Sequence, residues 1–167
     1  MTLLSFNWIC VFQALILLLV VNGAPIVVNT LMGKHLARPV DNGFMLPDRQ
    51  RLFGSSKTWR GLCAALLSSM GAALLFGLDA LTGAQFGALT MAGDLLASFL
   101  KRRCGYRESS HARGLDTVPE TLLPVWLLDD SLNLGAIEIA LTVGLFFLIE
   151  EFISPILYRL HIRKRPY

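Results

Sequence analysis

A chain of 167 residues that is 54% hydrophobic and only 16% charged lies outside the range of soluble globular domains, which are roughly 45–50% apolar and about 25% charged. With a mean hydropathy of +0.56 and room for one compact unit, it is expected to be an all-α polytopic membrane protein, a single integral domain over residues 1–167. The net charge of +3 is small, and the cysteines Cys10, Cys63 and Cys104 form no Cys-x-x-Cys pair, which argues against a disulfide framework or a zinc site.

In chain order, residues 3–21 are apolar apart from Ser5, Asn7 and Gln13 and long enough for a bilayer that needs about 20 residues. A signal peptide is the alternative. No Lys or Arg precedes the run, and its apolar core exceeds the usual length of about 7–15 residues, so an anchor is the better reading. Asn22-Gly23-Ala24-Pro25 is expected to interrupt that helix, with residues 26–32 continuing it or re-entering. The first polar segment, 33–61, carries Lys34, Arg38, Arg49, Arg51, Lys57 and Arg60 among turn formers such as Pro39, Asp41, Asn42, Gly43 and Pro47. The second span, 62–78, is rich in Ala, Gly and Ser, which lets helices approach closely. A short turn, 79–83, leads to a third span, 84–100. The second polar segment, 101–113, holds Lys101, Arg102, Arg103, Arg107 and Arg113. A weak fourth span, 115–128, is broken by Pro119, Glu120 and Pro124; an acidic turn, 129–133, separates it from the last span, 134–157, and the tail adds Arg159, Arg163, Lys164 and Arg165.

All fifteen cations thus fall in three places, six in the first polar segment, five in the second and four in the tail. With five spans these lie on one side of the membrane, and the positive-inside rule puts that side in the cytoplasm and the amino terminus outside. The expected location is the cell membrane, with the basic loops and the carboxy terminus cytoplasmic.

The stretch 93–103, Gly-Asp-Leu-Leu-Ala-Ser-Phe-Leu-Lys-Arg-Arg, places one acid inside an apolar run that ends in three cations. On a helix Asp94, Ser98 and Lys101 share a face, with Asp94 about 10 Å below Lys101. A carboxylate beneath a basic rim can hold a divalent cation and phosphates bridged to it. It can equally be an Asp satisfied by a neighbouring helix beneath a snorkelling basic end. Ahead of the second span, Gly54-Ser55-Ser56-Lys57-Thr58-Trp59-Arg60-Gly61 offers Ser55 or Ser56 as a helix cap, with Lys57, Arg60 and free amides as an anion site. The competing reading is an interfacial belt of Trp59 and cations on anionic lipid. Asp116, after Arg113-Gly114-Leu115, is either an N-cap or a partner of Asp94 in holding Mg²⁺. Glu138 reads as a boundary residue, Glu150 and Glu151 as counter-charges to Arg159 or Lys164, and His35, His111 and His161 as isolated loop residues. No Ser-His or Cys-His nucleophile arrangement is legible.

Lys57-Thr58-Trp59-Arg60-Gly61, then 93–103, then Leu115-Asp116 together resemble the CDP-archaeol synthase family, and Asn22-Gly23-Ala24-Pro25 and Arg38-Pro39-Val40-Asp41-Asn42-Gly43 fit that family's first loop. The resemblance covers roughly residues 20–130. Where the family reads Asp-Gly-Arg and then Leu-Gly, this chain reads Asp48-Arg49-Gln50-Arg51-Leu52-Phe53-Gly54, so no role carries over to Asp48. The resemblance implies about five spans and a Mg²⁺-dependent cytidylyltransferase that moves CMP from CTP to a membrane lipid phosphate of archaetidic or phosphatidic type. It implies Asp94, Lys57, Arg60 and Lys101 as catalytic residues and Asp94 and Asp116 as Mg²⁺ ligands. Arg38, Asp41, Thr58, Ser98 and Arg102 follow as substrate-binding residues. The partners are CTP, the lipid phosphate and the bilayer, with no nucleic acid. The alternative from another class is a non-enzymatic membrane protein that binds anionic lipid or a partner through its basic face; a transporter would need paired broken helices in repeated halves, which are not seen.

Overall fold

The computed structural model describes residues 6–108, 110, 112 and 114–159, with side chains as far as residue 152. His111, Arg113, His161, Arg163, Lys164, Arg165 and the Arg159 side chain lie outside the described residues. The regular elements among them are helices: α1 (Trp8–Met32), α2 (Trp59–Leu75), α3 (Ala80–Arg103), α4 (Thr117–Leu127), the single turn α5 (Asp129–Leu132) and α6 (Ala136–Arg159). Only two isolated β-bridges occur among them, Pro39 with Thr58 and Met45 with Arg51, both in the first polar segment.

Helices α1, α2, α3, α4 and α6 pack in sequence, and α6 returns to α1, so the five long helices close a ring. The interior is filled by Val11, Leu17, Leu18 and Val21 of α1, Phe86 of α3, Val125 of α4 and Phe146 of α6. Outward faces remain apolar, as at Ile9, Phe12, Leu67, Leu75, Trp126 and Phe152. A helix that is apolar on both its inner and its outer face suits a lipid solvent. By length and apolarity α1 alone among the described residues passes the test for a membrane-crossing helix, and α2 is a shorter apolar helix.

Three boundaries differ from the sequence reading. Helix α1 runs through Asn22-Gly23-Ala24-Pro25 without a break. Pro25 removes one helical donor, but it packs beside the first turn of α2, where a Cβ on Gly61 would meet Pro25 Cβ at 3.4 Å. Helix α2 is capped by Thr58, whose side chain accepts from the Gly61 N–H, and not by Ser55 or Ser56. The preceding residues are tied in extended form: the Val40 N–H donates to the Lys57 carbonyl and the Trp59 N–H to that of Arg38. Helix α3 starts a turn earlier than expected, because Asp79 caps it through the Thr82 N–H at 2.8 Å, and continues through Arg103.

Small residues set the helix spacing. A Cβ on Gly83 would lie 2.8 Å from the Ser69 carbonyl, and one on Gly87 3.0 Å from Ser69 Cβ, so this face of α3 rests on the backbone of α2. One turn and a half later Gly93 meets α4, where a Cβ would come within 2.3 Å of the Pro119 carbonyl and 2.5 Å of Glu120 Cα. Residues flanking Gly93 are thereby pressed against the start of α4.

Candidate active site at the basic end of the bundle

Two lysine–aspartate pairs mark one end of the ring. Lys57, just before α2, places Nζ at 2.6 and 2.5 Å from the two carboxylate oxygens of Asp94 on α3. Two turns along α3, Lys101 pairs with Asp116 at 2.6 Å and donates to the Ser110 carbonyl at 3.0 Å. Asp116 stands at the start of α4, yet its carboxylate makes no helix-capping bond; it accepts from the Ala112 N–H at 2.9 Å. Glu120, one turn after Asp116 and 6% exposed, is acted on by the charges of Glu150, Asp94, Lys57 and Asp116. Glu150 of α6 accepts from the Thr117 hydroxyl at 2.8 Å, so it turns toward α4. Four carboxylates and two ammoniums thus converge where α3, α4 and α6 meet the first loop. Ser98 lies one turn above Asp94 on α3 and is 5% exposed.

The remaining candidates are placed differently. Arg102 is 3% exposed and donates to the Arg107 carbonyl at 2.6 Å, folding the second loop back onto α3; its Nε is buried without a partner. Arg60 binds the end of α1, donating to the Asn29 side chain and the carbonyls of Gly33 and His35. Cations bonded to terminal carbonyls stabilise a helix end. Arg38 is exposed and donates through Nε to Asn42 at 2.9 Å. Thr58 is the α2 cap. Asp41 is the hub of the first loop: buried beside Arg51, it also accepts from the N–H groups of Gly43, Phe53 and Gly54. Desolvation pushes its carboxyl up, but the Arg51 bond and the three backbone donors outweigh it and hold the pKa down at about 2.

The two polar segments are joined. Arg103, over the Phe99 ring, pairs with Asp48 at 2.5 Å and donates to the Arg51 carbonyl, and the Ser55 hydroxyl donates to Glu108 at 2.7 Å. Asp48 therefore has a structural task, which its departure from the family pattern left blank. Glu120 and Glu150 were missed as members of the charged centre. An ionisable residue inside an apolar span is the signal that finds them, and Glu120 stands four residues after Asp116, on the same helical face.

Among the described residues no three His, Cys, Asp or Glu side chains are grouped as a metal cage. Mg²⁺ needs none, since it keeps several waters and binds through one or two carboxylates plus substrate phosphates. The oxygen-only donors Asp94 and Asp116, each already against a positive charge, fit that ion.

Fold and site define an all-helical intramembrane protein with a charged centre at one end of its helix ring. It is similar to a solved intramembrane enzyme for archaeal membrane lipid biosynthesis, with a TM-score of 0.66 and 28% identity over 81% of this chain and 89% of that one. No protein-family model matches the chain. Among curated proteins it is 32% identical to the CDP-archaeol synthase of Aeropyrum pernix over 143 residues, 80% of this chain and 72% of that protein. The CDP-archaeol synthase of Archaeoglobus fulgidus is 30% identical over 155 residues, covering 77% of this chain and 84% of that one. That of Sulfurisphaera tokodaii is 29% identical over 158 residues, 89% of this chain and 90% of that one. The chain belongs to the CDP-archaeol synthase family.

Proposed function

We propose that the chain transfers CMP from CTP to a membrane lipid phosphate, giving a CDP-lipid and pyrophosphate. An oxygen of the lipid phosphate attacks the α-phosphorus of CTP; the bond to the bridging oxygen breaks, and its electron pair leaves with pyrophosphate. The nucleophile is ionised at neutral pH, so no general base is required, and catalysis is positioning and charge neutralisation. The observation that carries the reading is the convergence of the Lys57–Asp94 and Lys101–Asp116 pairs at one end of the ring.

Asp94 and Asp116 would hold Mg²⁺, which when bound neutralises charge on the phosphates. Lys57 and Lys101 then face the phosphates, and Ser98 orients one of them. Arg102 keeps the second loop against α3 and presents a guanidinium edge to an anion. Arg60 and Asp41 support the site by fixing the end of α1 and the first loop, and Arg38 borders the nucleotide from that loop. The whole chain acts as one domain of five spans, with the amino terminus outside and the site cytoplasmic, as the three clusters of cations favour.

The test is formation of labelled CDP-lipid from labelled CTP by purified protein in detergent with Mg²⁺. The unsaturated archaeal ether-lipid phosphate and phosphatidic acid are offered in parallel, and the better substrate names the lipid. Product that disappears with EDTA and in Asp94→Ala supports the reading. No product from either lipid, with the protein folded, returns the chain to passive binding of anionic lipid.

A further inference from the structure

Glu120 has no part in the mechanism above, yet its surroundings give it one. It is buried on α4, and the backbone contact at Gly93 sets it beside Asp94. The charged groups facing it are Asp94 of α3, Glu150 of α6, Asp116 at the start of α4 and Lys57 of the first loop. Lys57 in turn is flanked by Asp94, Glu120 and Asp116. The Lys57 ammonium donates to both carboxylate oxygens of Asp94. If Asp94 gives those oxygens to a cation and its phosphates, the ammonium has to leave them. A half-buried ammonium that loses its carboxylate is strongly disfavoured unless another receives it.

We propose that Glu120 is the second seat of Lys57. When Asp94 is engaged by the cation–nucleotide complex, Lys57 is retained by Glu120 and its remaining protons are aimed at the phosphates. Glu120 is then a positioning residue that acts through Lys57, and no bond is made or broken at it. The inference rests on the functional reading of the same site.

A four-protein cycle tests it: wild type, Lys57→Gln, Glu120→Gln and the double variant, all in detergent. Calorimetry measures CTP binding with Mg²⁺, and Mn²⁺ binding without nucleotide; turnover is measured alongside. Each single variant is expected to lose about tenfold in CTP affinity, and the double to be no more than about threefold worse than Lys57→Gln, because the two groups act as one unit. Mn²⁺ binding in Glu120→Gln stays within about threefold of wild type, whereas Asp94→Asn weakens it by tenfold or more. Losses that multiply in the double variant overturn the proposal, as does a loss of Mn²⁺ binding in Glu120→Gln equal to that in Asp94→Asn, which would make Glu120 a metal ligand. If Glu120→Gln does not fold, Glu120→Asp replaces it and the same outcomes decide. A wild-type chain that binds CTP but forms no CDP-lipid overturns the functional reading and leaves the binding cycle readable. One that binds no CTP overturns both.

Discussion

Asp94 sits about 13 Å inside the end of α3, given the helical rise, and faces a lysine from a different element. A merely structural pair would tolerate loss of charge on both sides. Asp94→Asn is expected to lower CDP-lipid formation by about a hundredfold or more, the scale on which preorganised charge acts in group transfer, while thermal unfolding in detergent shifts little. Asp41 makes a different prediction. Its carboxyl is held at about 2 against an ordinary 3.8, so its contribution to the first loop is complete above pH 3.8 and is lost as the pH falls toward 2. That shift corresponds to about 2 kcal/mol. Asp41→Asn should remove this acid dependence and speed amide exchange at Gly43, Phe53 and Gly54 at neutral pH, leaving the helices protected. Sequence reading isolated Asp94, Lys57, Lys101 and Asp116 because each breaks a local pattern: an acid in an apolar run, a cation at its end, a carboxylate after a glycine. Glu120 broke the same rule but sat between Pro119 and Pro124, where a proline-rich stretch reads first as a weak span. Arg60 shows the other side of this: its bonds to the Asn29 side chain and the Gly33 carbonyl at the end of α1 are long-range contacts that no spacing encodes.

At the scale of elements, the α3–α4 contact decides whether Asp94 and Glu120 are neighbours. A methyl group at Gly93 would lie 2.3 Å from the Pro119 carbonyl, too close for any real side chain, so Gly93→Ala must push α4 away from α3. Overpacking of this kind costs about 1–3 kcal/mol, and activity should fall at least tenfold with helical content unchanged by circular dichroism. Gly71→Ala is the matched control: it lies on α2 with nothing within 4 Å of a new Cβ, and an exposed helical Gly replaced by Ala gains up to about 1 kcal/mol. It should keep full activity and unfold at the same temperature or higher. Equal losses in both variants would show that the α3–α4 approach has no special role. Helix existence was legible from apolar runs; helix ends were not. The α2 start moved to Thr58 because tertiary bonds hold Lys57 and Thr58 extended against Arg38 and Val40. The continuity of α1 depended on packing at Pro25, and turn-forming composition says nothing of that.

At the scale of the molecule, the ring has a basic end and an opposite end with little positive charge. The described cations of both polar segments belong to the end of the ring that holds the Lys57–Asp94 pair, and Asp48–Arg103 and Ser55–Glu108 tie the segments to each other. The other end carries Asp79, Asp129, Asp130 and Glu138, the last accepting from the Asn7 N–H at 3.3 Å. Five long helices in a closed ring put residues 33–58 and 104–116 at one end and the turns after α2 and α4 at the other. Charge asymmetry of that kind orients a membrane protein with its cations in the cytoplasm, and both substrates of the proposed reaction are polyanions that a basic end would gather. Exposed Cys104, in the turn after α3, reports one end directly. In a protein with Cys10 and Cys63 replaced by Ala, a membrane-impermeant maleimide should label Cys104 in inside-out vesicles and not in right-side-out ones. With Cys104 also replaced by Ser and Asp130→Cys introduced, the pattern should invert. Labelling of both sites from the same side would break the odd number of spans, and labelling of Cys104 only in right-side-out vesicles would overturn the assignment of the catalytic end to the cytoplasm.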